Sequence, residues 1–215
     1  MKRPAIFLDR DGVINRNRTD HVKTWAEFDF LPGVLPALRR LSHLEWPVVV
    51  ISNQAIVGRG LVSRQTLDVI NGHMVRTVQS VGGRIDRVFC CPHRPEEKCC
   101  CRKPEPGLLL QAADQMKLDL SHSFFVGDAE SDVMAAKAAG CRPVLVKTGR
   151  GEGQMNILRQ GQVMGYYLAD DLADAVNWIS GPGWMTKFDA ASDQPTTPAS
   201  APSYYAPGVA AWAMR

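Results

Sequence analysis

Two carboxylates stand one residue apart where a short apolar stretch ends. Ala5 to Leu8 is predicted to be a buried parallel strand, and Asp9 and Asp11 follow it directly, before Gly12, which lets the chain turn sharply. An open α/β sheet binds its ligands at the carboxyl ends of its strands. Carboxylates this close repel each other unless a divalent cation lies between them, and hard oxygen ligands suit Mg²⁺, which also binds substrate phosphate oxygens. Asp-x-Asp also occurs in solvated turns, so the pattern indicates a magnesium and phosphate site without establishing one.

This arrangement resembles the first motif of the haloacid dehalogenase-like phosphohydrolases. In that family an Asp-x-Asp pair follows a hydrophobic strand, as Asp9-Arg10-Asp11-Gly12 does here. The resemblance implies that Asp9 attacks phosphorus and that Asp11 acts as general acid and base. It also implies three further motifs, which should follow in order at the ends of later strands.

The second motif is expected after the predicted strand Val48 to Ile51. Ser52 stands at this place, where a Ser or Thr of the family hydrogen-bonds the transferring phosphoryl group. A Ser after a strand is more often a helix cap or a turn residue, so this role depends on its place in the motif order. The run from Asn53 to Gly60 is similar to the Asn-Gln-x-x-Ile-x-Arg-Gly run of bacterial heptose bisphosphate phosphatases, which narrows the family.

Two adjacent cations, Arg102 and Lys103, come shortly before a predicted helix, whose dipole favours anions at its start. The resemblance makes Lys103 the third motif, with an ammonium group that neutralises Asp9 and the phosphoryl oxygens. Arg102 offers a fork suited to a second phosphate or to sugar hydroxyls. A pair of solvated surface cations is the alternative interpretation.

Asp128 follows the fourth predicted strand and matches the fourth motif of the family. The resemblance implies that Asp128 binds Mg²⁺ together with Asp9 and the backbone carbonyl of Asp11. Asp132 lies four residues further on, one helical turn away on the same face. It could cap the helix that follows, but we expect it to hold a metal-bound water.

Five of the six cysteines fall between residues 90 and 101, which in a reducing compartment favours metal binding over disulfides. A Cys-x-His and a Cys-x-Cys pair joined by a five-residue loop suffice for a closed tetrahedral zinc site. Spacing alone leaves six candidate ligands, namely Cys90, Cys91, His93, Cys99, Cys100 and Cys101. The heptose bisphosphate phosphatases carry Cys-Pro-His and Cys-x-Cys-Arg-Lys-Pro. This resemblance implies that a structural zinc ion is bound by Cys91, His93, Cys99 and Cys101.

Short loops at the strand ends should shape the substrate pocket, because no insertion long enough for a cap domain separates the motifs. The polar segment after the first strand lies next to the two aspartates, and loops in such positions often carry ligand contacts. Together with the residues implied by the resemblance, the expected substrate-binding set is Asn17, Arg18, Thr19, Asp20, Asn53, Gln54, Arg59 and Arg102.

Composition and periodicity place these motifs in one α/β domain. The chain has 215 residues, of which 45% are hydrophobic and 22% charged, and strand and helix patterns alternate across residues 1–180. We expect a doubly wound parallel sheet there, of the haloacid dehalogenase-like type and without a cap domain. Residues 149–153 are predicted to form a loop. Residues 181–215 are rich in Pro, Ala, Ser and Thr and are predicted to form a disordered tail.

Charge and hydropathy restrict the partners. A net charge of +3 without a run of Lys and Arg gives no indication of nucleic-acid binding. The N-terminal residues contain neither a signal peptide nor a membrane span, so we expect a cytoplasmic protein without a membrane partner. We also expect a monomer whose partner is a small phosphorylated sugar.

Together the motifs indicate a Mg²⁺-dependent phosphomonoesterase that works through an aspartyl-phosphate. The resemblance implies removal of the 7-phosphate of D-glycero-D-manno-heptose 1,7-bisphosphate. Histidinol phosphate is the nearest alternative, because its phosphatases share the zinc loop, although Arg102 suits a second phosphate better than a cationic amine. A non-catalytic zinc module that binds nucleic acid would leave Asp9, Asp11, Asp128 and Lys103 unexplained, and it should show a basic, aromatic-lined face.

Overall fold

Apolar runs rich in Val, Ile, Leu and Phe form the central sheet, because a strand covered on both faces needs apolar side chains on both. The computed structural model describes residues 2–182 and 212–214. Its parallel strands are β1 (Ile6–Leu8), β2 (Val48–Asn53), β3 (Arg87–Cys91), β4 (Phe124–Gly127), β5 (Arg142–Val146) and β6 (Tyr167–Ala169). In the order β6-β5-β4-β1-β2-β3 they make a doubly wound sheet, which confirms the predicted fold class.

Helices cover both faces of this sheet. They are α1 (Val34–Leu41), α2 (Ala55–Gly58), α3 (Arg64–Ser80), α4 (Gly107–Met116), α5 (Glu130–Ala139), α6 (Gly151–Gln160) and α7 (Leu172–Ser180). Side chains alternate along β1, so Ile6 and Leu8 pack in one core with α1, α3 and α7, whereas Phe7 packs in the other with α4 and α5. Among the described residues, no helix is long and apolar enough to cross a membrane.

The carboxyl end of β1 lies at a reversal of the chain's path. β1 pairs with β2 on one side and with β4 on the other, and Leu8 is level with both Val50 and Val126. After β3 the chain returns through α4 to β4, on the opposite side of β1. Such a reversal opens a crevice at the carboxyl ends of the strands, where α/β proteins bind ligands. The residues that follow β1, β2 and β4 therefore meet at one edge of the sheet.

The connections at this edge are short. Residues 9–33, between β1 and α1, contain only the 3-10 turn Trp25–Glu27, and residues 92–106, between β3 and α4, contain only the turn Pro95–Glu97. Neither connection holds a cap domain, as the motif spacing predicts. The crevice is instead bordered by loops.

Two elements depart from the sequence-based expectations. Residues 149–153, predicted to form a loop, include the start of α6 at Gly151, because Leu158 of this helix packs its side chain against Val133 and Leu145. β7 (Trp212–Met214) pairs antiparallel with β3, within the stretch for which the composition predicts disorder. The remainder of that tail prediction, for residues 183–211 and 215, lies outside the described residues.

Candidate active site

Lys103 and Asp9 form a buried ion pair at the carboxyl end of β1. The Nζ atom of Lys103 lies 2.8 Å from Oδ1 of Asp9 and 2.7 Å from Oδ1 of Asp132, and it donates to the carbonyl of Ile51 at 3.0 Å. Burial opposes the charged form of Lys103, but Asp132 and Asp9 hold its pKa above the ordinary value. The lysine is therefore charged, and its ammonium group lies where it can neutralise a phosphoryl oxygen beside Asp9.

Asp9 itself is 5% exposed. Burial raises the pKa of Asp9 from 3.8 to about 6, although the neighbouring Lys103 opposes this shift. Its Oδ1 contacts the ammonium group of Lys103 and also accepts a hydrogen bond from the backbone N–H of Arg10 at 2.7 Å. Oδ2, which neither of these groups contacts, is the oxygen that could attack a phosphorus atom.

Three buried carboxylates form a candidate cation site. One oxygen from each of Asp9, Asp128 and Asp132 lies within 4.8 Å of the others. Burial raises the pKa of Asp128, and the nearby charge of Asp9 raises it further, because the carboxylates repel each other. A divalent cation would relieve that repulsion, and a set of hard oxygen donors fits Mg²⁺. This group includes Asp132 rather than the side chain of Asp11.

Asp132 also caps a helix. Its Oδ2 accepts hydrogen bonds from the backbone N–H groups of Asp128 and Ala129 at 3.1 and 3.0 Å, while its Oδ1 faces Lys103. The capping role that the sequence left open is therefore present in the structure. Because one carboxylate holds both the turn at Asp128 and the ammonium group of Lys103, these two functional groups are fixed relative to each other.

Two glycines let the chain approach Asp128 closely. Gly12 has a φ of +94° and Gly149 a φ of +62°, and a Cβ atom at either position would lie 2.1 or 2.3 Å from Oδ2 of Asp128. That oxygen accepts hydrogen bonds from the Asn17 side chain at 2.6 Å and from the Arg150 backbone at 2.9 Å. Neither Gly149 nor Arg150 is predicted from the sequence as a site residue. Their signal is a Gly-Arg-Gly run soon after β5, which lies next to β4 and so opens onto the same edge.

The Asp11 carboxylate is enclosed by donors. Arg10 donates from Nε to Oδ2 and from Nη2 to Oδ1, both at 3.1 Å. Asn15 donates to Oδ1 at 2.9 Å, and Gln54 donates to Oδ2 at 2.8 Å. Burial alone would raise the pKa of Asp11, but the Arg10 guanidinium and the hydrogen bonds from Asn15 and Gln54 hold it below the ordinary value. The side chain is ionised at neutral pH and firmly oriented.

Residues at the end of β2 and directly after it tie this site together. Ser52 is buried, and its hydroxyl accepts a hydrogen bond from Gln54 at 2.8 Å. Gln54, predicted from the sequence to contact substrate, instead bridges Ser52 and Asp11. Asn53, expected in the same role, bonds the backbone of Lys103 with both ends of its side-chain amide. Both amides position other site groups.

The other expected substrate contacts lie nearer the surface. Arg18 and Asp20 are exposed and paired with each other at 3.0 Å, and Thr19 beside them is exposed as well. The guanidinium of Arg59 lies 3.5 Å from the ring of His21. Arg102 donates to the carbonyl of His93 at 3.2 Å. The structure therefore gathers the four motifs in a buried centre, whereas Arg18 and Arg59 are exposed and Arg102 is half-buried.

Four side chains of the cysteine-rich loop converge on one point. The Sγ atom of Cys91 lies 3.6 Å from that of Cys99 and 3.4 Å from that of Cys101, which are 3.5 Å apart. Nδ1 of His93 lies 3.5 and 3.2 Å from the Sγ atoms of Cys91 and Cys101. A tetrahedron around zinc, with bonds of about 2.0 to 2.3 Å, has edges of about 3.3 to 3.8 Å. The spacing of these atoms fits that ion.

The charges of these thiols support the same conclusion. The hydrogen bond with Cys101 lowers the pKa of Cys91 to about 6, and the same contact raises the pKa of Cys101. Three thiols this close therefore cannot all ionise unless a cation neutralises them. The donor set of three sulfurs and one imidazole nitrogen is one that structural zinc sites use.

Strand alternation separates the candidate ligands from one of the extra thiols. Cys90 and Cys91 are neighbours on β3, so their side chains point to opposite faces of the sheet. Cys91 lies in the core that also contains Cys101, whereas Cys90 lies in the other core and accepts a hydrogen bond from Asn71 at 3.6 Å. Cys90 is thus excluded from the cluster. Cys100 is half-buried and is not one of the four converging residues.

Known proteins resemble this chain over most of its length. The family model described as "HAD-hyrolase-like" matches residues 100–175. The D-glycero-β-D-manno-heptose-1,7-bisphosphate 7-phosphatase of Pseudomonas aeruginosa is 40% identical over 80% of this chain and 96% of its own length. The enzyme of the same name from Bordetella bronchiseptica is 41% identical over 78% of this chain and 93% of its own length.

A solved structure also matches the fold. The crystal structure of D,D-heptose 1,7-bisphosphate phosphatase from B. bronchiseptica, complexed with magnesium and phosphate, superimposes with a TM-score of 0.77. The two sequences are 40% identical, and the match covers 82% of this chain and 98% of that one. The likeness therefore spans the whole domain that carries the buried centre and the cysteine-rich loop.

Proposed function

Because the chain belongs to the haloacid dehalogenase-like family of D-glycero-β-D-manno-heptose-1,7-bisphosphate 7-phosphatases, we propose that it hydrolyses the 7-phosphate of that sugar bisphosphate. The observation that carries this proposal is the buried ion pair of Asp9 and Lys103, 2.8 Å apart, beside Asp128 and Asp132. A nucleophile, a cation for the phosphoryl oxygens and a carboxylate cage for Mg²⁺ are thus within one site. The reaction is hydrolysis of a phosphate monoester.

In the first half of the reaction, Oδ2 of Asp9 attacks phosphorus and forms an aspartyl-phosphate. The bond between phosphorus and the sugar oxygen breaks, and that oxygen takes a proton from Asp11 as the sugar leaves. Asp11 is ionised in the free site and takes up a proton from solvent when the substrate binds, because the negative phosphate beside it favours the protonated carboxyl group. Ser52 donates a hydrogen bond to an equatorial oxygen, and the positive charge of Lys103 neutralises the charge that accumulates on these oxygens.

In the second half, a water molecule attacks the phosphorus of the aspartyl-phosphate. Asp11, now ionised, takes a proton from that water, and the bond between phosphorus and Oδ2 of Asp9 breaks. Inorganic phosphate leaves, Asp11 releases the proton to solvent as the negative phosphate departs, and both aspartates return to their starting states. The ionised form of Asp11 that Arg10, Asn15 and Gln54 favour is the one this base requires.

Two metals fit the two donor sets. Asp9 and Asp128 would hold Mg²⁺, with the backbone carbonyl of Asp11 as a further ligand and Asp132 holding a bound water; this ion would neutralise negative charge on the phosphoryl group. Cys91, His93, Cys99 and Cys101 would hold a zinc ion that closes the loop from 91 to 101. Since that zinc site has no open position, its role is to fix the loop.

The remote phosphate at C1 requires a cation outside the buried centre. Arg102 is half-buried at the exit of the cysteine-rich loop, and its guanidinium offers a fork that matches a phosphate. Arg18 and Arg59 are exposed on segments that follow β1 and β2, at the same edge of the sheet, and add positive charge. These cations favour a bisphosphate over a substrate that carries a cationic amine, such as histidinol phosphate.

The test is a comparison of three substrates with the zinc-containing protein in Mg²⁺ buffer. We expect the highest kcat/KM with the β anomer of the heptose 1,7-bisphosphate, a lower value with the α anomer, and the lowest with histidinol phosphate. Phosphorus NMR of the product should show that the phosphate at C1 remains. A preference for histidinol phosphate, or loss of the C1 phosphate, would overturn the proposed substrate.

A further inference from the structure

Arg10 is a buried cation that none of the four motifs explains. It is 1% exposed, although it lies between Asp9 and Asp11 in the sequence. Its guanidinium donates to Asp11 from Nε to Oδ2 and from Nη2 to Oδ1, both at 3.1 Å, so the contact is bidentate. The third nitrogen, Nη1, donates to the side-chain oxygen of Asn71 at 3.0 Å.

Asn71, on helix α3, holds the Arg10 guanidinium in place. It lies on α3, is fully buried and belongs to neither the loops nor the strand ends that carry the motifs. The guanidinium also lies 5.9 Å from the centre of the Phe28 ring. Helix α3 therefore reaches the general acid and base in two steps, through one amide and one guanidinium.

We propose that Asn71 and Arg10 are positioning residues that set the orientation of the Asp11 carboxylate for proton transfer. This inference rests on the proposed function, since it requires Asp11 to exchange a proton with the leaving group. The Arg10 side chain contacts Asp11, and Asn71 contacts Arg10 rather than Asp11, so both act on the proton transfer through the Asp11 carboxylate. Asn71 thereby acts on the reaction from a helix that contributes no catalytic group.

The number of hydrogen-bond donors at Asp11 explains why Asn71 must hold the Arg10 guanidinium in place. As a carboxylate it accepts four hydrogen bonds, two from Arg10 and one each from Asn15 and Gln54. A protonated carboxyl group has one O–H, so one of the four donors must withdraw when Asp11 carries its proton. Arg10 is held by Asn71, so one of the two amides withdraws instead. The carboxyl group keeps its direction while its proton is exchanged.

The experiment compares a poor and a good leaving group. Phenyl phosphate needs a proton on its departing oxygen more than p-nitrophenyl phosphate does, so only the former depends strongly on a well-aimed acid. Asn71→Leu removes the oxygen that accepts a hydrogen bond from Nη1 of Arg10, so the guanidinium can turn. A small misplacement of a catalytic group costs up to about 10²-fold, so we expect kcat/KM for phenyl phosphate to fall about tenfold more than that for p-nitrophenyl phosphate.

Two further variants separate orientation from damage to the core. Asn71→Asp keeps the oxygen that accepts from Arg10 and should restore the wild-type ratio of the two substrates. Cys90→Ala removes the thiol that Asn71 contacts on its other side, while leaving the Arg10 contact in place. It should change both kcat/KM values by the same factor. The same change of ratio in Cys90→Ala as in Asn71→Leu would overturn the proposal.

The failure of this inference differs from a failure of the proposed function. Hydrolysis of both aryl phosphates without hydrolysis of the heptose bisphosphate would reject the substrate and leave the positioning role of Asn71 testable. Asp11→Asn should change the aryl phosphate ratio at least as strongly as Asn71→Leu. If Asp11→Asn changes the ratio and Asn71→Leu does not, Asn71 does not position the acid. If neither variant changes the ratio, there is no proton transfer from Asp11 for Asn71 to position, and the inference is wrong.

Discussion

The side chain of Asn53 forms two hydrogen bonds with the backbone of Lys103. Its Nδ2 donates to the Lys103 carbonyl at 3.0 Å, and its Oδ1 accepts from the Lys103 N–H at 3.1 Å. The end of β2 is thereby joined to the exit of the cysteine-rich loop, 50 residues further along the chain. These two hydrogen bonds fix the backbone of Lys103 in addition to any restraint that zinc binding in the cysteine-rich loop provides.

We expect Asn53→Ala to lower kcat about tenfold with little change in KM, because it releases the backbone that aims the Lys103 ammonium group. Two lost hydrogen bonds should also reduce the free energy of unfolding by about 2 kcal/mol. Steady-state kinetics and urea unfolding measure the two effects. Asn156→Ala, at an exposed position of α6, is the matched control and should leave both unchanged.

Zinc removal should affect substrate choice more than chemistry. Arg102 bonds the carbonyl of His93 inside the loop, whereas Lys103 is also held by Asn53 and by its carboxylate partners. Cys99→Ser should therefore raise KM for the heptose bisphosphate severalfold and lower kcat less. p-Nitrophenyl phosphate, which has no second phosphate, should escape most of the KM effect. Equal losses of kcat/KM on both substrates would show that the loop supports only general stability.

Asp9→Asn should abolish turnover while the fold survives, because it removes the nucleophile at almost constant volume. Phosphate release should fall below detection, with an unchanged circular dichroism spectrum. Asp29→Asn, at an exposed aspartate paired with Arg16, should retain full activity. Transfer of phosphate to the protein by Asp9→Asn in a single turnover would contradict the assignment of the nucleophile.

Metal analysis should find one zinc per chain, retained after Mg²⁺ is stripped. Cys91→Ser, Cys99→Ser and Cys101→Ser should each release the zinc ion, since each of these thiols contacts the other two. Cys90→Ser and Cys100→Ser should keep it, because neither residue belongs to the converging group. Zinc loss from Cys100→Ser but not from Cys101→Ser would shift the ligand assignment by one residue.

The metal-free site should show a characteristic dependence of stability on pH. Burial raises the pKa of Asp9 from 3.8 to about 6, so the folded protein binds this proton more tightly than the unfolded chain does. The resulting stabilisation is complete below about pH 4 and is lost as the pH rises through 6. With a chelator present, the free energy of unfolding should therefore decrease over this range in wild type relative to Asp9→Asn. Added Mg²⁺ at pH 7 should reverse the loss; an identical pH profile for the two proteins would contradict the shift.

The sequence predicts the sheet and its motif order well, because both depend on local patterns. Apolar runs give the buried strands, and the residues at their carboxyl ends or directly after them must lie at one edge of a parallel sheet. Asp9, Ser52 and Asp128 are therefore placed correctly from the sequence alone. Helix α6 is missed because its glycine-rich start disfavours a helix, and only the packing of Leu158 against α5 and β5 offsets this.

Contacts between distant side chains could not be predicted. The sequence places Asn53 and Gln54 at the edge of the site, but the structure turns both amides toward other site groups. Arg10 is an arginine in a strand-end turn, where exposure is the ordinary expectation, and its burial depends on Asn71, 61 residues away. Such pairings follow from the packing of α3 on the sheet, which no local spacing encodes.

The opposite orientations of Cys90 and Cys91 bear on how the chain folds. Ser52 and Asn53 of β2 lie opposite Cys90 and Cys91 in the parallel pairing. A slip of β3 by one residue would turn every side chain of this strand to the wrong face. Cys91 would then point away from Cys99 and Cys101, and Asn53 would lie opposite a different residue. Metal binding by Cys91, His93, Cys99 and Cys101 thus favours the native alignment of β3 during folding, because only this alignment turns Cys91 toward the other three ligands.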